Sequence, residues 1–314
     1  MNEIEIFYQD KDECRIPFSH ISEAVTDPSL KALDEYYGAA DVLSVYNARK
    51  HGRILLGLSA AGTLLTLAFL LYDEAELHGL ILACGAMIVC LFAMRRLAGR
   101  LDCHRKYLQY RVLAECLRCQ FYLSAAALKT RVSDLLPWFI RRGIPWISEF
   151  LNTVPDKASV KKQSVLDLWI RDQKKYHESA LKKAELKNRK DGLVTKTVLI
   201  ITITAYVAVL LYELFLYHHI ADAGNADLIR ALLKILLGTM SAATLFTGSY
   251  YGKMSLPNEI EDHKRMIALY EAAEEDILQN GENDAALLSL AREFLNENST
   301  WYAYQSNNTA DITL

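Results

Sequence analysis

Residues 195–216 read TKTVLIITITAYVAVLLYELFL and residues 229–251 read IRALLKILLGTMSAATLFTGSYY, two apolar runs joined by a short polar loop. A helix needs about 20 residues to cross the hydrocarbon core of a bilayer, and each run supplies them. Residues 54–71 and 80–94 repeat the arrangement earlier in the chain. The pattern predicts an all-α, polytopic membrane protein with two transmembrane helical hairpins, hence four spans, and long cytoplasmic helices. Its expected parts are an N-terminal cytoplasmic segment (1–30), a lead-in helix and first hairpin (31–100), antiparallel cytoplasmic helices (101–192), the second hairpin (193–252) and C-terminal cytoplasmic helices with a tail (253–314).

Of the 314 residues 23% are charged, yet almost none of these lie in the apolar runs, so the remaining chain is very polar. With 6 Pro and 14 Gly, that remainder reads as helical too. The net charge of −3 gives no footprint for nucleic acid, which is not expected as a partner. Cys84 and Cys90 in an apolar run, with Cys103, Cys116 and Cys119 beyond it, suit a reducing compartment rather than a disulfide frame. Cys116-x-x-Cys119 has no second pair at zinc-site spacing, so the two read as packing residues. His218-His219 likewise lacks ligands at metal-site spacing. The chain has no H-E-x-x-H, G-x-S-x-G, Walker lysine loop or G-x-G-x-x-G. Neither catalytic residues, nor a metal, nor a cofactor is expected.

Charge sets the expected orientation. Arg49, Lys50 and Arg53 precede the first span, and Arg95, Arg96, Arg100, Arg105 and Lys106 follow the second, whereas the loop over 72–78 holds Asp73, Glu74 and Glu76 without Lys or Arg. Lys182, Lys183, Lys187, Arg189, Lys190 and Lys196 precede the third span; Lys253, Lys264 and Arg265 follow the fourth. The positive-inside rule puts these flanks and both termini in the cytoplasm. The opening MNEIEIFYQDKDE is acidic and without an apolar core, so it is not read as a signal peptide.

Outside the spans, the alternation of Ile4, Ile6 and Tyr8 suggests a short strand. Residues 30–50 carry Leu33, Tyr37, Ala40, Val42 and Val45 at near-helical spacing, an amphipathic helix running toward the first span. Residues 101–129 read as one helix leaving the membrane and 160–190 as another returning, natural antiparallel partners. Between them, 135–147 mixes Trp138, Phe139, Ile140 and Trp146 with Arg141 and Arg142, which fits either a segment at headgroup level or a Pro-broken loop packed on the helices. Helices are expected over 257–279 and 284–296, split by Asn280-Gly281, with a loose tail from Gln305.

The spans are not uniformly apolar. Thr195, Thr202, Tyr206 and Glu213 share a stripe, since steps of 7, 4 and 7 residues return near one helical angle. Lys234, Gly238, Ser241, Gly248 and Gly252 share a face of the fourth span that ends in a G-x-x-x-G spacing, and Ser59, Gly62, Thr63 and Thr66 form a weaker stripe on the first. Such faces line pores or pack helices closely in lipid. Glu213 and Lys234 need each other, a wet lumen or the nearby surface, because a mid-bilayer charge costs about 2.5–3.5 kcal/mol on an insertion scale.

Four stretches carry a resemblance: Tyr37-Gly-Ala-Ala-Asp-Val-Leu-Ser-Val-Tyr46, the helix HRKYLQYRVLAECLR over 104–118, Trp169-Ile-Arg-Asp-Gln-Lys-Lys-Tyr-His177, and Glu297-Asn-Ser-Thr-Trp301. They are similar to the "AD-x-L-x-x-Y", "H-x-x-W-x-x-Y-R-x-L-A-E-x-L-R", "Q-x-x-Y-H" and "E-N-x-x-W" elements of bacterial membrane proteins attached to TRPM-like SLOG domains. Those proteins are akin to the SLATT effectors, and here Tyr107 replaces the usual Trp. The resemblance spans roughly residues 30–302. It implies an oligomeric, pore-forming effector of nucleotide-signalled anti-phage defence in the inner membrane. The 314 residues are expected to leave no room for a SLOG or SAVED sensor, so the sensor is either a separate protein or the cytoplasmic helices themselves; a separate sensor or synthase protein is the expected partner, beside membrane lipid, further copies of the chain and a possible nucleotide ligand.

On the helix over 104–118, Arg111 and Glu115 stand i,i+4, and with Tyr107 and Arg118 they can face Asp172, Gln173, Tyr176 and His177. This ridge reads as a polar network clamping two helices, with a nucleotide-binding ridge as the alternative. Two other functions are compatible with the spans: a constitutive small-solute or ion channel or transporter, and a membrane scaffold for cytoplasmic partners.

Overall fold

The computed structural model describes residues 2–22, 27–155, 165–216, 223–254 and 256–306. It is 89% helical and, among the described residues, has no strand. Four helical stretches, within Pro28–Glu74, Leu80–Ala125, Leu166–Leu216 and Asn225–Asn280, are long and apolar enough to cross a membrane. The chain is an all-α multi-pass membrane protein.

The segment expected as a strand is helix α1, Glu3–Glu13. The Ile4, Ile6, Tyr8 alternation misleads because Phe7 is the residue that is buried, and Ile4, Phe7 and Tyr8 recur at helical spacing. Asn2 and Glu5 close a capping box over its first turn. Helix α2 runs Pro28–Glu74, 47 residues or about 70 Å, and carries both the amphipathic lead-in and the first span. Asp27 caps it by accepting from the amides of Ser29 and Leu30, and Pro28 occupies the first helical position. Helix α3 covers Leu80–Leu101.

The helix expected over 101–129 is shorter. Asp102 adopts φ 49, a left-handed conformation that short polar residues tolerate, so α4 starts afresh at Cys103 and ends at Ala125, before Ala127 with φ 60. The 135–147 region becomes α5 (Val132–Leu135), α6 (Trp138–Gly143) and α7 (Pro145–Thr153). A π-helical turn, Leu166–Arg171, leads into α8, Asp172–Leu211, and a second, Tyr212–Leu216, follows it. The start of the helix expected from residue 160 and His218-His219 lie outside the described residues. Helix α9 covers Ala223–Met254, α10 Leu256–Asn280, and α11 Asp284–Ser306, ten residues longer than the sequence pattern suggests. Gly281, at φ 76, ends α10 as expected of the Asn280-Gly281 break.

The chain forms two compact units. Unit 1 comprises residues 1–50, 103–183 and 258–314; unit 2 comprises 51–102 and 184–257 and so holds both hairpins. Unit 1 has a well-packed core in which Phe7, Leu113, Leu117, Phe121, Tyr122, Phe150, Trp169 and Tyr270 are almost wholly buried. Helix α4 is its axis: from Leu108 to Ala125 every residue but Arg111 is buried. Cys116 and Cys119 sit there, and burial pushes both thiols up, which keeps them protonated. In unit 2, by contrast, Leu82, Val89, Phe92 and Leu245 are exposed, as side chains facing lipid must be.

Candidate functional site

The sequence ridge on α4 becomes a buried ionic cluster in unit 1. Arg118, 6% exposed, donates from Nη1 to Glu115 Oε2 at 3.0 Å and to Gln173 Oε1 at 3.0 Å, and from Nη2 to the Tyr37 hydroxyl at 2.5 Å. One guanidinium thereby ties α4 to the start of α8 and to α2. Burial is the largest influence on Arg118 and opposes its charge, but Glu115 and then Tyr37 overturn it, and the pKa stands well above the usual arginine value. Arg111 Nη2 lies 2.6 Å from Glu115 Oε1, an ion pair whose N–H is not aimed at that oxygen, and its Nη1 lies 3.5 Å from Asp41. Tyr122 stacks on Trp169 with centroids 5.0 Å apart, and Gln173 Nε2 donates to the Tyr122 hydroxyl at 3.3 Å.

Not every expected member joins. Asp172 is exposed and accepts from the neighbouring Gln173 amide, at 3.3 Å. Tyr176 is exposed as well, although its ring lies 5.9 Å from the Arg118 guanidinium carbon. Tyr107 leaves the ridge and packs edge-on against Trp301 at 5.9 Å, and burial raises its pKa to about 12. The four stretches that carry the family resemblance are thus brought together in one unit. Tyr37 and Asp41, which complete the cluster, belong to the first of them, but sequence reading gave them no site role because their partners are 70 or more positions away. His263 and Tyr270 on α10 were also missed, having no motif around them.

His177 Nδ1 and His263 Nδ1 are 3.0 Å apart, so one ring must donate its N–H to the lone pair of the other. Burial first, then His263, Arg111 and Arg118, push the His177 pKa down to about 3; burial likewise lowers that of His263, partly offset by Glu259. In the unfolded chain His177 binds a proton near pH 6.5 while the folded chain refuses it until about 3. Stability is therefore full above pH 6.5 and is lost as pH falls through that window, by about 2 kcal/mol at pH 5. His177→Asn, which keeps a donor and acceptor near Nδ1, is expected to flatten that loss. The check is the thermal midpoint in detergent at pH 5 and 7.5, where the wild type should fall by roughly 4–8 °C more than the variant; equal falls would contradict the assignment.

In unit 2 the polar residues of the spans meet helices of the same chain. Glu213 and Lys234 do not pair with each other, since each has a nearer partner: Arg230 Nε donates to Glu213 at 2.6 Å, and Lys234 Nζ to both oxygens of Glu74 at 3.0 and 3.1 Å. Thr202 Oγ1 lies 2.8 Å from Thr244 Oγ1 and 3.1 Å from the Met240 carbonyl, which it can bond as donor. A Cβ on Gly238 would meet Leu70 at 2.6 Å, and one on Gly62 would collide with the Phe246 ring. These contacts set α9 against both α2 and α8, the close approach that small residues permit in lipid. Ser241 bonds back to the Leu237 carbonyl at 2.8 Å. Tyr206 is 56% exposed, and Gly248 and Gly252 have open space before them. The expected stripes therefore divide into a packed part and an open part. No protein-family model, curated protein or solved structure matches the chain.

Proposed function

We propose that the chain is a non-enzymatic effector of the bacterial inner membrane, with both termini cytoplasmic, which assembles as a homo-oligomer and opens a passage when unit 1 receives a signal. On this reading the signal comes from a separate nucleotide-sensing or nucleotide-making protein, as in anti-phage defence, where breaching the membrane ends the infection. The observation that carries it is the placement of the buried cluster. Arg118 holds Tyr37 of α2 and Gln173 of α8, and each of those helices continues unbroken into a span. Buried ion pairs contribute little net stability over apolar residues and are best attested as registry or switching devices. The open Gly248-x-x-x-Gly252 face offers a contact for neighbouring copies.

A scaffold that spans the membrane without conducting is the second reading. It is favoured by Thr202, Glu213, Lys234 and Gly238 all facing helices of their own chain.

Liposomes with a potassium gradient separate the two. Gln173→Leu removes the tie to α8 while leaving Glu115 and Arg118 paired. The effector reading expects wild-type liposomes to hold their gradient and the variant to dissipate it severalfold faster. If neither protein leaks faster than empty liposomes, the scaffold reading stands instead.

A further inference from the structure

Helix α6 presents a surface knuckle of unusual composition. Trp138 is 70% exposed and Phe139 43%, and Arg141 and Arg142 are exposed beside them. The orientation is fixed from below, since Ile140 and Ile144 are each 1% exposed and belong to the core of unit 1. Among the described residues neither arginine has an acidic partner; Arg141 bonds only the Leu136 carbonyl, at 3.3 Å. Its neighbours link the knuckle to the first turns of α4: Trp146 Nε1, just beyond it, donates to Gln109 at 3.1 Å, and the Phe139 ring is 6.1 Å from that of Tyr302. Tyr302 in turn is beside Gln109 and Arg105, and His104 bonds the carbonyl of Gln305. This is the end of α4 that follows the span-bearing helix α3 in the chain after a single residue, Asp102.

We propose that α6 is a bilayer-contact element, with Trp138 and Phe139 entering the headgroup layer of the membrane the chain itself crosses, and Arg141 and Arg142 binding anionic lipid phosphates. Tryptophan favours that layer because its ring is apolar and its N–H is polar. Each arginine near an anionic surface adds attraction to the lipid phosphates. The exposed rings number two, each burying at most about 250 Å². That falls short of the roughly 800 Å² per partner of a stable protein interface, whereas an already tethered lipid contact needs no such area. The inference holds whether or not the chain gates a passage.

The four tryptophans, Trp138, Trp146, Trp169 and Trp301, all lie outside the apolar runs, so fluorescence reports on unit 1 alone. The full chain is placed in nanodiscs of phosphatidylcholine and phosphatidylglycerol with brominated acyl chains, which quench tryptophan only at close range. The expected result is partial quenching, of which Trp138→Phe abolishes the share of one tryptophan. The double variant Arg141→Gln, Arg142→Gln is expected to quench as weakly with phosphatidylglycerol as without it. Unchanged thermal midpoints show that both variants are folded. Quenching that survives Trp138→Phe, or that ignores phosphatidylglycerol in the wild type, would overturn the proposal. So would a change of oligomer size in Trp138→Phe with quenching unaltered, which would assign the knuckle to a second copy.

Discussion

Arg118→Met is expected to destabilise the folded chain by about 3–5 kcal/mol, because it takes from the buried Glu115 carboxylate the arginine that hydrogen-bonds it and leaves it with the Arg111 ion pair. Glu115 is 5% exposed and Arg118 6%, so water cannot take over. The Tyr37 hydroxyl and the Gln173 carbonyl lose their donor in the same step. Methionine fills much of the volume of the arginine stem, so the loss reports on charge and hydrogen bonding more than on a cavity. A drop of roughly 6–20 °C in the thermal midpoint in detergent is the expected readout. The double variant Glu115→Gln, Arg118→Met should lose less than Arg118→Met alone, since the buried carboxylate that lost its hydrogen-bonded arginine goes with it. A double variant as unstable as the sum of its parts would show that the two residues do not act as a pair.

Gly38→Ala is the second large effect, and its sign runs against helix propensity. Alanine in a helix interior is ordinarily better than glycine by about 1 kcal/mol. At position 38, however, a Cβ would collide with the backbone carbonyl of Ser19 and meet Phe18 Cβ at 3.0 Å. The non-helical segment there is pinned across α2: Ser19 Oγ donates to Asp41 at 2.8 Å, the Ile21 amide to Asp34 at 2.6 Å, and His20 Nδ1 lies 2.6 Å from Asp34. Asp34, Gly38 and Asp41 share one face of the helix, so the segment cannot retreat without losing those bonds. Overpacking costs about 1–3 kcal/mol where side chains can adjust, and backbone adjusts least, so a net loss of about 2 kcal/mol is expected. Gly192→Ala is the control: nothing lies within 4 Å of its Cβ, and it should stabilise α8 slightly. Equal behaviour of the two variants would contradict the close approach.

How much could be read without coordinates follows from the range of the interactions involved. The spans, the lead-in helix and the Asn280-Gly281 break are local patterns of 10–25 residues, and they stand where the periodicity puts them. The Arg111–Glu115–Arg118 ridge was legible for the same reason: its members are one turn apart, and a charged face on an otherwise apolar helix demands partners. Those partners were half legible. Gln173 and His177 turn inward, whereas Asp172 and Tyr176, adjacent to them in sequence, turn out, and a one-residue rotation of α8 is invisible without knowing what α4 presents. Of the alternatives open to Glu213 and Lys234, mutual pairing is not the one taken, because Arg230 and Glu74 offer nearer counter-charges, and Glu74 comes from the other hairpin. The α1 strand failed on period alone, and the helix break at Asp102 failed because an aspartate in the left-handed region leaves no mark in an apolar-periodic sequence.

The gating proposal takes its sense from a proposed topology: unit 1 and both ends of the chain on the inner face of the membrane, and the 72–78 loop outside. Fusions of alkaline phosphatase, active only outside the cytoplasm, and of a green fluorescent protein, bright only within it, after Leu314 and after Glu76 measure this directly. The account predicts a bright, phosphatase-inactive junction at Leu314 and a dark, phosphatase-active one at Glu76. Phosphatase activity at Leu314, or fluorescence at Glu76, would contradict it.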